Sequence, residues 1–384
     1  MALPKLMRRV AIATGLLAYF FSICASGPAV VAKAEQTLWP EAINTLAGFD
    51  KASRASLLVY VLMQKEMQGL SDAQMLELFK IKSVNRASVE KWLAKEQSLS
   101  LRNFQLASKS CAQGDWTCAQ STDMKELLSS AAQVKTPASL MAWQKNLQGF
   151  SRSYLSEQLR LAALFPKISS EIDRFNDGEF NGDALADRLF YLSFDDGPTR
   201  AGGTTDSTLE MLAAHKKSAA FFLLGENLDA RLKATNAASL AAEYSGQCLA
   251  SHGWTHVSHA AEDQWQSSVM RTQALLETVF ARSSGQVLPL FRPPYGQRKA
   301  DSGAFFTAQS LQVALWNLDS QDWNAQVSSI EVVNRMLTLM LIKRHGILLF
   351  HDIHPKANSA LPSMFDALGG SVNWGACGEL AQLR

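Results

Sequence analysis

Beyond its amino end the chain has no long apolar run, no block of basic residues and, between residues 39 and 172, no histidine. The first absence leaves no second segment of membrane-spanning length. The second, with 37 Lys and Arg against 35 Asp and Glu and a net charge of +2, gives no reason to expect a nucleic-acid partner. The third takes histidine ligands and imidazole acid–base chemistry out of the amino-terminal third. Cysteines number five, and none forms the C-x-x-C pair that a four-cysteine zinc site usually needs.

What is present begins with Lys5, Arg8 and Arg9, an apolar run over residues 10–25, and the small-residue triplet Ala32-Lys33-Ala34 ahead of Glu35. This pattern reads as an export leader, residues 1–34, cut after Ala34, which places the mature protein in the periplasm or outside the cell with no stable membrane insertion. Removal of the leader takes Cys24 with it. The remaining Cys111, Cys118, Cys248 and Cys377 are an even set in an exported chain, the usual mark of disulfides. A local Cys111–Cys118 bridge is expected around "AQGDWT", with Cys248–Cys377 tying the end of the chain to a middle strand.

The mature length of about 350 residues exceeds what one core usually supports, so two domains are expected. Over residues 39–172 apolar residues recur at three and four, proline and glycine are sparse, and strand-like alternation is missing, which predicts an all-helical domain, residues 35–178. Its tryptophans and leucines read as core. Whether it docks a partner or frames a substrate cleft is open at this level. The polar joint "RFNDGEFNGD", residues 174–183, has the composition of a calcium loop without the spacing of an EF-hand, and reads as a linker.

From residue 179 to 384 the rhythm changes. Short apolar runs, "LFYLSF", "AAFFLL", "GQCLAS", "VLPLF", "VALWNL" and "GILLF", alternate with helical stretches near residues 206–217, 227–244, 262–283, 300–309 and 330–344. The predicted class is α/β, with parallel strands that could close into a barrel. Ser328 and Glu331 form a capping box for the last helix, and Gly346 suits its end. Five of the six apolar runs, all but "AAFFLL", are followed by a polar cluster: Asp195-Asp196, then His252, Arg292 to Tyr295, Asp319 with Asp322-Trp323, and His351-Asp352. These are the carboxyl ends of the strands, where a parallel α/β barrel gathers its chemistry.

His252 and His256, in "HGWTH", are four apart, a spacing that on one helical turn turns both imidazoles the same way. With one carboxylate they leave an open position on a zinc ion. His259 is an alternative partner for His256, and His215, His259 and His345 otherwise read as solvated. Asp195 and Asp196 side by side after a buried strand repel each other unless a cation intervenes. If one holds the cation, the other is free to act as a base.

In order, "FDDGPT", "HGWTH", "RPPYG", "DSQDW" and "LLFHD" resemble the five motifs of the polysaccharide deacetylase family, the NodB-homology domain or carbohydrate esterase family 4. The resemblance covers residues 191–354. It implies a distorted (β/α) barrel catalytic domain behind the helical domain, and removal of N-acetyl groups from chitin, peptidoglycan or poly-N-acetylglucosamine with Zn2+ or another divalent transition metal. It further implies Asp195 as general base, Asp196, His252 and His256 as metal ligands, and Arg292 as the group that orients Asp195. The Tyr295 backbone N–H would help hold the oxyanion, and Asp322 would keep His351 protonated for the leaving amine. Trp323, Leu348 and Phe350 would wall the acetyl pocket. The chemistry agrees, since an amide nitrogen leaves poorly unless protonated. The developing oxyanion also needs a fixed positive partner. Gly253 departs from the family, which has Ser or Thr there, so the hydroxyl that buttresses the loop is missing or displaced; Val257 stands where proline is common. The competing readings are an O-acetyl glycan esterase and a glycan-binding protein without turnover.

Overall fold

The computed structural model describes residues 30–34, 39–119, 121–167, 170–280 and 285–383. Most of the expected leader, residues 1–29 with its apolar run and Cys24, lies outside them. Among the described residues no helix is long and apolar enough to cross a membrane.

Helices α1 (Leu46–Gln68), α2 (Asp72–Phe79), α3 (Arg86–Ala107), α4 (Met124–Gln133) and α5 (Met141–Leu164) make up the amino-terminal part. Side-chain caps mark where several begin: Thr45 accepts from the Gly48 N–H, Ser71 and Gln74 form a capping box, and Asn85 and Asp123 cap α3 and α4. Each cap satisfies backbone donors that a helix start leaves unpaired. The Cys111–Cys118 disulfide closes the loop between α3 and α4.

The rest alternates strand and helix: β1 (Glu179–Phe180), β2 (Leu189–Asp195), α6 (Thr204–Ala214), β3 (Ala219–Leu223), α7 (Gly225–Ala234), α8 (Ala237–Glu243), β4 (Cys248–Ser251), α9 (Trp265–Val279), β5 (Val287–Phe291), α10 (Gly303–Ala308), β6 (Gln312–Ala314), β7 (Leu318–Asp319), α11 (Ser329–Lys343), β8 (Gly346–His351), α12 (Lys356–Leu368) and β9 (Asn373–Trp374). All strand pairs are parallel, in the order β1-β6-β5-β4-β3-β2-β8-β7, with β9 beside the start of β2. The sheet curls until Gly182, two residues past β1, lies against Gly346 and Ile347 of β8; a Cβ on Gly182 would come within 2.8 Å of the Ile347 nitrogen. Side chains alternate across the strands. Phe180, Tyr191, Phe222, Ala250, Leu290, Ala314 and Leu349 fill the inside of the curl. Phe194, Phe221, Leu249, Leu348 and Phe350 face the helices outside.

The segment read as a linker contains β1, and the predicted helix over 227–244 is two helices, broken where Asn236 caps α8. "VALWNL" likewise divides into β6 and β7. Ser328 and Glu331 do form the capping box of α11, but Gly346 is not its cap. Arg344 takes the left-handed position, φ 62°, and Gly346 is small because Leu318 and Asn317 press on it.

The two lengths expected as separate domains share one apolar cluster, running from α1, α3 and α5 through α11 to the outer face of the sheet. Buried ion pairs cross the junction: Lys343 with Glu96 at 2.6 Å, Arg335 with Glu157 at 2.7 Å and Arg344 with Asp50 at 2.8 Å. Removing one partner of such a pair strands a buried charge, which costs about 3–5 kcal/mol. Residues 30–34, the last of the expected leader, pack on the same junction. Val31, Ala32 and Ala34 are buried. The Ala32 N–H donates to Glu157, its carbonyl accepts from Arg335 at 3.1 Å, and the Ala34 carbonyl accepts from Asn334 at 2.9 Å.

Candidate active site

Strand β2 ends in Asp195, and the next residue, Asp196, has a left-handed backbone, φ 79°, so the two carboxylates diverge. Asp195 is committed to Arg292, which leaves β5 fully buried and donates from Nη1 to Asp195 Oδ1 at 2.8 Å and to Ser193 Oγ at 2.9 Å. The same guanidinium donates from Nε to the Ala314 carbonyl at 2.9 Å and from Nη2 to the Leu315 carbonyl at 3.2 Å, and it lies 3.9 Å over the Phe222 ring. A planar fork with this many fixed acceptors cannot rotate away from Asp195.

Asp196 faces the histidines. Its Oδ1 lies 3.4 Å from His252 Nε2 and 3.4 Å from His256 Nε2. The three residues each offer a ligand atom within 4.8 Å of the others. His252 directly follows β4, while His256 sits in a loop rather than on the helical turn expected from the spacing. His252 Nδ1 is 2.7 Å from the Arg292 carbonyl, which can only accept. Nδ1 therefore carries a proton, and Nε2 is the nitrogen turned toward Asp196. Burial, with the nearby His252, holds His256 down at about 4 against the pull of Asp196, so it is neutral at pH 7. Burial would raise Asp196, but His252, His351 and His256 outweigh it and hold its carboxyl well below the usual range. Asp196 Oδ1 is buried without a hydrogen-bond partner among the described residues. One anionic oxygen without a donor and two imidazole nitrogens converging on it are the donor set of a divalent transition metal, and the residues fit one.

Opposite, β8 pairs with β2 so that His351 is level with Asp195. Asp322, fully buried, uses both oxygens on His351: Oδ1 is 2.8 Å from Nδ1, and Oδ2 accepts the His351 backbone N–H at 2.9 Å. Burial alone would lower His351; Asp322, then Asp196 and Asp195, raise it to about 10.

Asp195, Asp196, His252, His256 and His351 line one cleft of about 270 Å³, with Tyr295, Trp316, Asp319, Gln321, Trp323 and Leu349, while Arg292 and Asp322 stand behind it. The Tyr295 ring packs edge-on to His256 with centroids 4.4 Å apart, and its backbone is left-handed, φ 59°. Leu348 and Phe350 are not in the cleft. The two-residue period of β8 turns them to the helices, where Phe350 packs on Phe194, and brings Leu349 inward. His259 and His345 are buried, not solvated, and His259 is absent from the cleft.

Gly253 has a local cause. Its φ is +87°, and a Cβ there would sit 2.7 Å from His259 Nε2 and 3.3 Å from Ser268 Oγ. His259 stacks on Phe291 at 5.0 Å, and Ser268 on α9 accepts the Trp254 N–H at 2.8 Å. A hydroxyl from α9 thus holds the loop that joins His252 and His256. Gly253→Ser is expected to lower the melting temperature by several degrees, since both the left-handed backbone and the ring contact oppose a side chain. It should also weaken zinc binding in a chelator competition. No change in either measurement would show that the loop has room to spare.

Sequence reasoning also missed the contribution of the helical part: Glu157, Gln158 and Leu161 of α5, with Ser170 and Glu171, line the cleft. Nothing in their spacing marks them, because they belong to an ordinary amphipathic helix and the segment after it. Residues 182–314 match the family model described as polysaccharide deacetylase; Asp322 and His351 lie beyond that span. A peptidoglycan-N-acetylglucosamine deacetylase of Bacillus cereus is 26% identical over 249 residues, 61% of this chain and 80% of that protein. A second B. cereus protein of the same description is 31% identical over 148 residues, 38% of this chain and 50% of that one. Peptidoglycan-N-acetylmuramic acid deacetylase PdaC of Bacillus subtilis is 27% identical over 183 residues, 47% of this chain and 36% of its own length. A solved peptidoglycan N-acetylglucosamine deacetylase, 23% identical, superposes with a TM-score of 0.45 over 52% of this chain and 90% of that one. Across residues 182–314 the chain is thus similar to the polysaccharide deacetylase family.

Proposed function

We propose that the protein is a metal-dependent N-deacetylase of an N-acetylhexosamine glycan outside the cytoplasm, peptidoglycan, a chitin-like polymer or poly-N-acetylglucosamine. The observation that carries this reading is the pairing of β2 with β8, which sets a carboxylate tied to an arginine, Asp195, level with an imidazole tied to a carboxylate, His351. The Asp196, His252 and His256 cluster opens into the same cleft. Arg292, itself braced by Ser193, holds Asp195 ready to take a proton from the attacking water. His351, kept protonated by Asp322, delivers a proton to the departing nitrogen, without which an amide barely cleaves. Zinc or a similar cation on Asp196, His252 and His256 would supply fixed positive charge for the developing oxyanion. The Tyr295 backbone N–H is the second donor in this reading, and Trp323, 40% exposed at the rim, is the aromatic wall of the acetyl site. Two disulfides, Cys111–Cys118 and Cys248–Cys377, suit an oxidising compartment.

Acetate release from chitin oligomers, peptidoglycan and poly-N-acetylglucosamine should be seen with the zinc-loaded chain on at least one of them, and a chelator should abolish it. The absence of release from all three would overturn the reading.

A further inference from the structure

The cleft has two walls of different origin. The barrel supplies the reacting groups, and α5 with the segment after it supplies Gln158, Leu161, Ser170 and Glu171. That second wall is fixed in place. Arg298, buried, donates to the Ser170 carbonyl at 2.8 Å, the Asp173 carbonyl at 2.9 Å and the Gly296 carbonyl at 3.0 Å. A Cβ on Gly296 would approach both Ser170 Cα and the Glu171 nitrogen to 3.2 Å. The helical wall is thereby locked to the loop that carries Tyr295.

Several polar groups around this wall have hydrogen-bonding capacity that the protein does not fill. Trp316, 6% exposed, has its indole N–H buried without a partner among the described residues, and Gln321, 5% exposed, has an unpartnered amide oxygen; both residues line the cleft. The Gln158 side chain makes no hydrogen bond among the described residues, and Glu171, whose carboxyl accepts from its own N–H and from the Ser170 hydroxyl, has no cation at ion-pair distance there and keeps acceptor capacity to spare, whereas their neighbour Glu157 is committed to Arg335. Buried donors and acceptors normally have partners, and a set left open in one cleft points to a ligand that supplies them. The groups are mixed: an N–H donor, an amide and a carboxyl. That mixture matches sugar hydroxyls, which both donate and accept. Burial and the neighbouring Asp319 raise the Glu171 carboxyl to about 7, so near neutrality it too can donate as well as accept.

We propose that Gln158 and Glu171, together with Trp316 and Gln321, form a subsite for the hydroxyl groups of a pyranose ring, and that the helical layer is the substrate-recognition half of the cleft. The inference rests on the deacetylase reading. The site is compact, near the small end of ligand pockets, so it takes one ring and its substituents.

The test uses the full zinc-loaded chain with N-acetylglucosamine oligomers and, as a probe without a sugar, 4-nitrophenyl acetate. Gln158→Ala and Glu171→Ala should each raise KM for the oligomers roughly tenfold, as expected for one lost hydrogen bond to a bound hydroxyl, with kcat within about twofold. Glu171→Gln, which keeps a donor and an acceptor, should restore KM to near the parent value. Hydrolysis of the ester should be unchanged in all three. Unchanged KM for the oligomers, or equal losses on oligomer and ester, would overturn the subsite. If the parent protein hydrolyses the ester but releases acetate from no glycan, the deacetylase reading itself fails before any variant is compared.

Discussion

His351→Asn should lower kcat for acetamide cleavage by roughly 10²–10⁴-fold, the range for loss of a positioned general acid, while an acetyl ester substrate loses less than about tenfold, because its leaving oxygen needs no such proton. Parallel rate measurements on an N-acetylated oligomer and on an aryl acetate would read this directly. Equal losses on both would remove the acid role and favour esterase chemistry. The pH profile is a second readout. In the folded chain His351 is raised to about 10, burial opposing and Asp322 prevailing with help from Asp196 and Asp195, against an ordinary value of about 6.5. The pair therefore adds stability fully below about pH 6.5 and loses it as pH rises toward 10. Asp322→Asn should move the basic limb of kcat/KM down toward the ordinary histidine value. A bound cation at Asp196 offsets that carboxylate, so the limb of the zinc-loaded protein should lie below that of the metal-free imidazole. A limb that does not move in Asp322→Asn would show that another group sets it.

Arg292→Met should be the most destabilising single change near the site. It leaves Asp195, 3% exposed, as an unpaired charge beside Ser193, and also frees the Ala314 and Leu315 carbonyls. Loss of one partner from a buried pair costs about 3–5 kcal/mol, which corresponds to a fall of about 10 °C in melting temperature for a chain of this size. Acetate release should vanish even where folded protein is recovered. Arg292→Lys should not rescue it, since an ammonium cannot serve Asp195, Ser193 and two carbonyls on different strands. A stable Arg292→Met protein with near-parent activity would mean that Asp195 has no need of an orienting cation.

The barrel half was legible from its strands because each apolar run is short, and all but one end in a polar cluster that only a parallel arrangement brings together. The meeting of Asp195 with His351 and the grouping of Asp196, His252 and His256 were legible for the same reason. The faces within a strand were harder. Leu348 and Phe350 look like pocket residues beside His351, yet the alternation that puts Leu349 inside turns both out, and only the register with β2 decides which parity faces the cleft. The H-x-x-x-H spacing named two histidines that do come together, but through a strand end and a loop rather than one helical turn. Glu171 and Gln158 were illegible because their role depends on where a helix packs more than a hundred residues from the barrel residues it faces, such as Gln321. Gly253 looked like a defect and is a consequence of His259, six positions on, needing its space.

Cys377 and Leu380 enter the barrel interior from below, among the inward residues at the starts of the strands, and the bond to Cys248 pins them there. Tyr191 adds a hydrogen bond to Glu379 at 2.8 Å. The carboxyl-terminal turn is thus a stopper, and the barrel is a cup with a floor. Among the described residues the inner face is thereby filled at the starts of the strands, so in the proposed reaction water and the freed acid share the rim at the strand ends with the polymer, and traffic there becomes part of how fast the cycle can turn.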